Sequence, residues 1–281
     1  MKIRRMRAED LHFAFQCTLQ EGWAGETLEV LKNLYTHDPR GCLIGEEAGR
    51  PGGICIGTSY GQAGFVGDLI VIPELRGRGY GRQLLNHCID DLTARGARNI
   101  YLDGDLAAVH IYEKRGFRKL GRSFRYRGTV APQNHPDITA VQDEDFEEIL
   151  AIDRTVFNAD RSFFLRQLLS QHPQYSLVRR DADRVSGYLF ARPGRKVISV
   201  GPWIELCESP VPAALLTQLA TRTGPAPLRI GVLETNRRAI TLIKSLPGLE
   251  EQEFCWRMVL GPGGDLEDTA KVFAIGSGSK G

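Results

Sequence analysis

Short apolar runs alternate along the chain with segments in which apolar residues recur every three or four positions. The clearest helical stripe is Leu84, Leu85, Cys88, Ile89 and Leu92, at i, i+1, i+4, i+5 and i+8, one face of a 3.6-residue period. It predicts a helix over 79–95, stopped by Gly96. Ahead of it the pattern predicts strand 2–6, helices 9–20 and 26–35, and strands 41–48, 52–60 and 64–72. Behind it come strand 99–103, helix 106–115 and strand 117–127. Strands and helices mixed in this order predict an α/β (α+β) sheet covered by helices.

The pattern is then written a second time, at a nearly constant offset of about 134 residues. Ile3-Arg4-Arg5-Met6 with Asp10 matches Ile138-Thr139-Ala140-Val141 with Asp145, each a short strand leading to an acid able to cap a helix. Leu43-Ile44 matches Leu177-Val178, Gly53 to Gly57 matches Gly187 to Ala191, and Val66-Gly67 matches Val200-Gly201. Beyond this point the second copy is three residues shorter: Val66 precedes Leu84 by 18 positions, Val200 precedes Leu215 by 15. Between the copies, 129–136 carries two prolines and little periodicity, and reads as a linker. Two domains are therefore expected, 1–128 and 137–281, with one more short strand at 271–275.

Composition narrows the function classes. With 42% hydrophobic and 25% charged residues, the chain can bury an ordinary globular core. A net charge of +2 gives no reason to expect a nucleic-acid or membrane partner. No run approaches the length that spans a bilayer, and the first residues lack an apolar signal region. A cytoplasmic location is the corresponding expectation. Six cysteines, at 17, 42, 55, 88, 207 and 255, include no C-x-x-C pair and lie mostly in apolar runs. They read as buried reduced thiols, and no metal site is expected.

The most informative segment is Val71-Ile72-Pro73-Glu74-Leu75-Arg76-Gly77-Arg78-Gly79-Tyr80-Gly81. A strand ends at proline, a glycine-rich basic turn follows, and an amphipathic helix begins. Glycines let the backbone approach a ligand, and the free N–H groups of the helix start point to the same place. Arg76, Arg78 and Arg82 add positive charge. This is a cradle for a pyrophosphate. The spacing is neither the dinucleotide fingerprint nor a Gly-Lys-Ser/Thr phosphate loop.

Arg76-x-x-Gly79-x-Gly81, preceded by Val71-x-Pro73 and followed by Tyr112-Glu113-Lys114-Arg115-Gly116-Phe117, resembles the GNAT superfamily of N-acetyltransferases. The whole chain resembles its tandem type, through Gly22-Trp23, Asp160-Arg161-Ser162 and Gly201-Pro202-Trp203. The resemblance implies two GNAT-like domains, each a mixed, mostly antiparallel sheet flanked by helices. It implies acetyl-CoA as co-substrate, held by Leu69, Ile70 and Val71 of the preceding strand, by Arg76, Gly77, Arg78, Gly79, Tyr80, Gly81 and Arg82, and by Tyr112. Tyr112 matches the tyrosine that protonates the departing thiolate. Asp103 and Asp68 are rival bases for the acceptor amine, and Trp23 and Tyr35 lie in the helical region that walls the acceptor site. One position departs from the pattern: Asp105 stands where the superfamily often has Asn.

The second copy lacks these parts. Glu205-Leu206-Cys207-Glu208-Ser209-Pro210-Val211-Pro212 replaces the basic loop, and Ile243 stands where Tyr112 is expected, although Asn236 is kept. Two prolines lack N–H groups and two acids repel a pyrophosphate. This copy is expected to complete the fold or the acceptor site without chemistry of its own. The function expected is acetyl transfer from acetyl-CoA to a primary amine on a small molecule or peptide. A CoA-responsive binding module without turnover, or an enzyme for a longer acyl-CoA, are the alternatives. Neither the acceptor nor the oligomeric state is fixed by the sequence.

Overall fold

The structure, a computed structural model, describes residues 1–206 and 213–281. The part of the second-copy loop at 207–212, Cys207 included, lies outside the described residues. The chain forms two compact units. Unit 1 comprises 1–119 with 258–264 and 279–281; unit 2 comprises 120–257 with 265–278.

Unit 1 begins with β1 (Lys2–Arg5), α1 (Leu11–Gln20), α2 (Leu28–His37), β2 (Cys42–Glu47), β3 (Arg50–Tyr60) and β4 (Ala63–Val71). It continues with α3 (Tyr80–Ala94), β5 (Asn99–Gly104) and α4 (Val109–Arg115). Strands β1 to β4 pair antiparallel in sequence order, and β5 joins β4 in parallel. The apolar stripe of α3 packs one face: a Cβ on Gly57 would lie 2.7 Å from Cys88 Sγ, so only glycine lets the helix this close. The other face carries α1 and α2, whose Leu11, Ala14, Cys17, Val30, Leu31 and Leu34 cluster with Ile44, Ile54, Ile56 and Ile70. Residues 258–264 complete the unit beside β5. Gly263 N–H donates to Asn99 Oδ1 at 2.7 Å, and Tyr101 donates its hydroxyl to the Gly264 carbonyl at 3.1 Å.

Unit 2 follows the same plan. Its elements are β6 (Arg118–Gly128), β7 (Ile138–Ala140), α5 (Asp143–Phe157), α6 (Ser162–Gln171), β8 (Ser176–Asp181) and β9 (Arg184–Pro193). Then come β10 (Ile198–Glu205), α7 (Ala214–Thr223), β11 (Leu228–Leu233), α8 (Arg237–Ser245), β12 (Leu249–Leu260) and β13 (Val272–Ala274). Strands β7 to β10 pair antiparallel in order and β11 joins β10 in parallel, repeating the topology of β1 to β5. The strand read at the end of the first copy, β6, runs antiparallel to β11, from Ser123 opposite Leu233 to Gly128 opposite Leu228.

The paired acids act differently from a simple cap. Asp10 and Asp145 each reach back three residues to take a backbone N–H, Arg7 to Asp10 and Gln142 to Asp145, both at 2.7 Å. The helix around Tyr112 starts at Val109, later than the pattern suggests; its N-cap is Ala108 and no side chain caps it. The counterpart in unit 2 keeps its cap: Asn236 Oδ1 accepts from Ala239 N–H at 3.0 Å. Among the described residues Cys17, Cys42, Cys55, Cys88 and Cys255 are buried. Burial pushes the Cys17 and Cys42 thiols up to about 12. No helix among the described residues is long and apolar enough to cross a membrane.

Candidate active site

Two irregularities in the sheet of unit 1 frame the candidate site. The β3–β4 ladder slips between Ile54 opposite Ile70 and Ile56 opposite Gly67, so Asp68 and Leu69 together oppose Cys55. Asp68 takes φ +48° to make this bulge and is buried at 2% exposure. A bulge breaks the ladder locally and turns backbone groups away from it. Beside it, β4 and β5 pair only from Ala63–Asn99 to Phe65–Tyr101, although β4 runs on to Val71 and β5 to Gly104. The strands therefore splay beyond Phe65, leaving a wedge bordered by Leu69, Ile70 and Val71 on one side and by Asp103 on the other.

The glycine-rich turn stands where β4 leaves this wedge. Pro73–Leu75 form a 3-10 turn, and Gly79 N-caps α3 in the left-handed region. Gly77 and Gly79 have φ +76° and +78°, which glycine adopts at no steric cost. The first α-helical bond is Gln83 N–H to the Gly79 carbonyl at 3.2 Å, so the N–H groups of Tyr80, Gly81 and Arg82 face outward with the helix dipole behind them. Among the described residues nothing would touch a Cβ at Gly77, and at Gly81 the nearest atom is Val71 Cγ2 at 3.8 Å. Gly81 needs neither a positive φ nor room for a protein neighbour. Its missing side chain clears space over the helix start, which fits a phosphate-bearing ligand. Arg78 and Arg82 are exposed at the rim. Arg76 Nε donates to the Val71 carbonyl at 2.8 Å, and its guanidinium pairs with Glu21 at the end of α1. A hydrogen bond to the Glu47 carboxylate raises the Tyr80 hydroxyl above its ordinary range.

Tyr112, on α4, lies across the open end of β5. A Cβ on Gly104 would be 2.8 Å from Tyr112 Cε2, so Gly104 is the position that lets the ring lie there. Phe117 holds the other side, edge-on at 6.1 Å. Asp103 falls within β5 and is half-buried. Alternation along the strand turns Asp103 to the face opposite Gly104 and Tyr112. Trp23, in the α1–α2 connection, and Tyr35, on α2, are half-buried and pack on the α1–α2 core. In the sequence Gly104 carries a single signal, a glycine at the end of a strand.

In unit 2 the matching wedge is filled. β10 and β11 pair from Ile198–Leu228 to Val200–Ile230 and then part. Into that gap comes β13, which pairs Trp203 with Ala274 and is followed by Ile275, whose N–H donates to the Gly231 carbonyl at 3.0 Å. Asn236 Nδ2 holds the Val272 carbonyl at 3.0 Å. Ile243, expected in place of Tyr112, is fully buried apolar packing. Asp160-Arg161-Ser162 serves packing too: Arg161 pairs with buried Asp153 at 2.8 Å and stacks over Phe157.

The acetyltransferase (GNAT) family matches residues 8–117, and a second acetyltransferase (GNAT) domain matches 149–274. An acetyltransferase of Sodalis glossinidius is 33% identical over 122 residues, covering 41% of this chain and 84% of that protein. The chain belongs to the GNAT acetyltransferase family, in tandem form. This tandem acetyltransferase is also 29% identical over 177 residues to an uncharacterized N-acetyltransferase, YitH, of Bacillus subtilis, a match spanning 61% of this chain and 62% of the relative. Its fold is shared with a putative acetyltransferase of Pyrococcus horikoshii, with TM-score 0.83 and 21% identity over 100% of this chain and 95% of that one. Two GNAT matches agree with the repeated topology and support an acyltransferase. Among the described residues, no cluster of His, Cys, Asp and Glu has the makings of a metal site.

Proposed function

We propose that unit 1 transfers an acetyl group from acetyl-CoA to a primary amine. The carrying observation is the cradle at 77–82: left-handed Gly77 and Gly79, outward N–H groups at 80–82 and a Gly81 whose absent side chain would meet only Val71 Cγ2, at 3.8 Å. That geometry suits a pyrophosphate, and the wedge beside it suits an extended arm reaching between β4 and β5. Acetyl-CoA would bring an already activated thioester. Backbone N–H groups near Ile70 and Val71, past the bulge, would stabilise negative charge on the carbonyl oxygen. Tyr112, over Gly104, would give its proton to the thiolate. Asp103 is our choice as base, because it is half-exposed, can return its proton to water and faces away from Tyr112. Asp68, at 2% exposure, is the rival. Trp23 and Tyr35 would wall the amine's side.

We further propose that only unit 1 binds the coenzyme, because β13 occupies the corresponding wedge of unit 2. Calorimetry should give one acetyl-CoA per chain; two equivalent sites would refute this. Thiol release from acetyl-CoA across a panel of amines tests the reaction. Tyr112→Phe should lower turnover by roughly 10²–10⁴-fold, the range of a lost general acid, with coenzyme binding nearly unchanged. Wild-type turnover in that variant would reduce Tyr112 to packing.

A further inference from the structure

Lysine is almost never fully buried, because taking an ammonium out of water is costly unless a charge and hydrogen bonds receive it. Lys280 is 1% exposed and ranks among the largest fully buried side chains. Its Nζ lies 3.1 and 3.2 Å from the two oxygens of Glu26, itself 7% exposed, and 2.6 Å from Ser279 Oγ. Ser279 Oγ also donates to Glu26 at 2.9 Å. Tyr60 donates its hydroxyl to the Lys280 carbonyl at 2.7 Å. The segment sits against β4 just before the bulge: a Cβ on Gly67 would collide with the Ser279 carbonyl oxygen. Alternation along β4 puts Gly67 with Phe65 on the face away from α3, the face that carries α1, α2 and Asp103.

Three facts coincide here. A carboxylate from the α1–α2 connection receives an alkylammonium. It does so on the face where an acceptor amine would approach. The ammonium comes from a segment lying on Gly67, next to the bulge residue Asp68. Unit 2 shows that such a segment can fill this part of the fold, since the Ile275 carbonyl stands against Gly201, the counterpart of Gly67, where a Cβ would collide with it.

We infer that Glu26 is the recognition group for the acceptor's ammonium, and that Ser279-Lys280 occupies its place as an internal substitute which the acceptor must displace. The inference rests on the proposed amine acetylation. It makes the acceptor class a primary ammonium on an alkyl arm of lysyl length.

The test titrates Nα-acetyl-lysine amide into the native chain, Lys280→Ala, and Lys280→Ala combined with Glu26→Gln, each first shown to be folded. The probe should bind Lys280→Ala at least about tenfold more tightly than the native chain, and Glu26→Gln should cancel the gain. Equal affinity for native and Lys280→Ala proteins, or a gain that survives Glu26→Gln, overturns the inference. Should Lys280→Ala fail to fold, hydrogen exchange on the native chain decides: saturating probe should speed exchange at 279–281, and unchanged exchange overturns it. Coenzyme A titrations of the same proteins separate the two readings. Lost coenzyme binding beside an intact probe response would fault the coenzyme reading alone.

Discussion

Gly81 is the residue at which the proposed ligand and the fold make different demands. It sits in the first turn of α3 without positive φ, and 3.8 Å separates its absent Cβ from the nearest protein atom. Gly81→Ala should leave the fold intact and raise stability by about 0.5–1 kcal/mol, the usual gain of alanine over glycine in a helix. If a pyrophosphate rests on this turn, the same methyl should weaken acetyl-CoA binding at least about tenfold, or 1.4 kcal/mol. Melting and calorimetry on one variant read both effects, and unchanged affinity would move the coenzyme elsewhere. Glu234 illustrates a purely structural charge. The Arg122 side chain, bonded at 2.7 Å, and the Arg122 N–H, at 2.9 Å, hold its carboxyl down to about 2. A folded pKa below the unfolded one, 4.5, stabilises at higher pH, and that contribution is lost as pH falls from about 4.5 through about 2. Arg122 is 42% exposed, so solvent screening keeps the contribution small. Glu234→Gln should therefore lower stability slightly at pH 7, and the difference should vanish near pH 2 in denaturant titrations.

Among the elements, the end of β5 and helix α4 depend on one another. With Tyr112 Cε2 2.8 Å from the Cβ that Gly104 lacks, Gly104→Ala must push the ring aside. Overpacking of this kind costs roughly 1–3 kcal/mol, and turnover should fall toward that of Tyr112→Phe while coenzyme binding holds. A variant with native turnover would show that the ring's place over β5 is irrelevant to chemistry. The elements themselves were largely legible. The α3 stripe, the strand before it and the glycine turn announce themselves through periodicity and residue type, and the structure places α3 at Tyr80–Ala94 against the 79–95 expected. The bulge was not legible, because Asp68 in a left-handed conformation looks in sequence like any acid within an apolar strand. Nor was the start of α4, since Ala108 carries no capping signal. Strand partners were hidden for a similar reason. Alternation says which face a residue takes, but nothing about the neighbour, so β6 read as the close of the first copy although it pairs with β11.

For the whole molecule, the repeat conceals that neither unit is one continuous stretch of chain. Unit 1 needs 258–264, where Gly263 and Gly264 tie down Asn99 and Tyr101, and 279–281, where Lys280 and Ser279 meet Glu26 and Tyr60. Unit 2 in turn needs 120–128, whose strand pairs β11. Residues 1–128 expressed alone would keep the coenzyme cradle and lose the pieces that finish the sheet beside β5. They would also carry β6 without its partner, an open strand edge prone to pair with other chains. Glu26, buried at 7% exposure, would lose the ammonium that offsets its burial. The fragment should therefore be aggregation-prone, or soluble only with a melting temperature well below that of the full chain, and should not acetylate the full chain's acceptor at the native rate. Solubility, melting and thiol release measured beside the full chain check this. A soluble fragment with native stability and full activity would mean that 258–264 and 279–281 are accessory to unit 1, and that its fold and chemistry are complete without them.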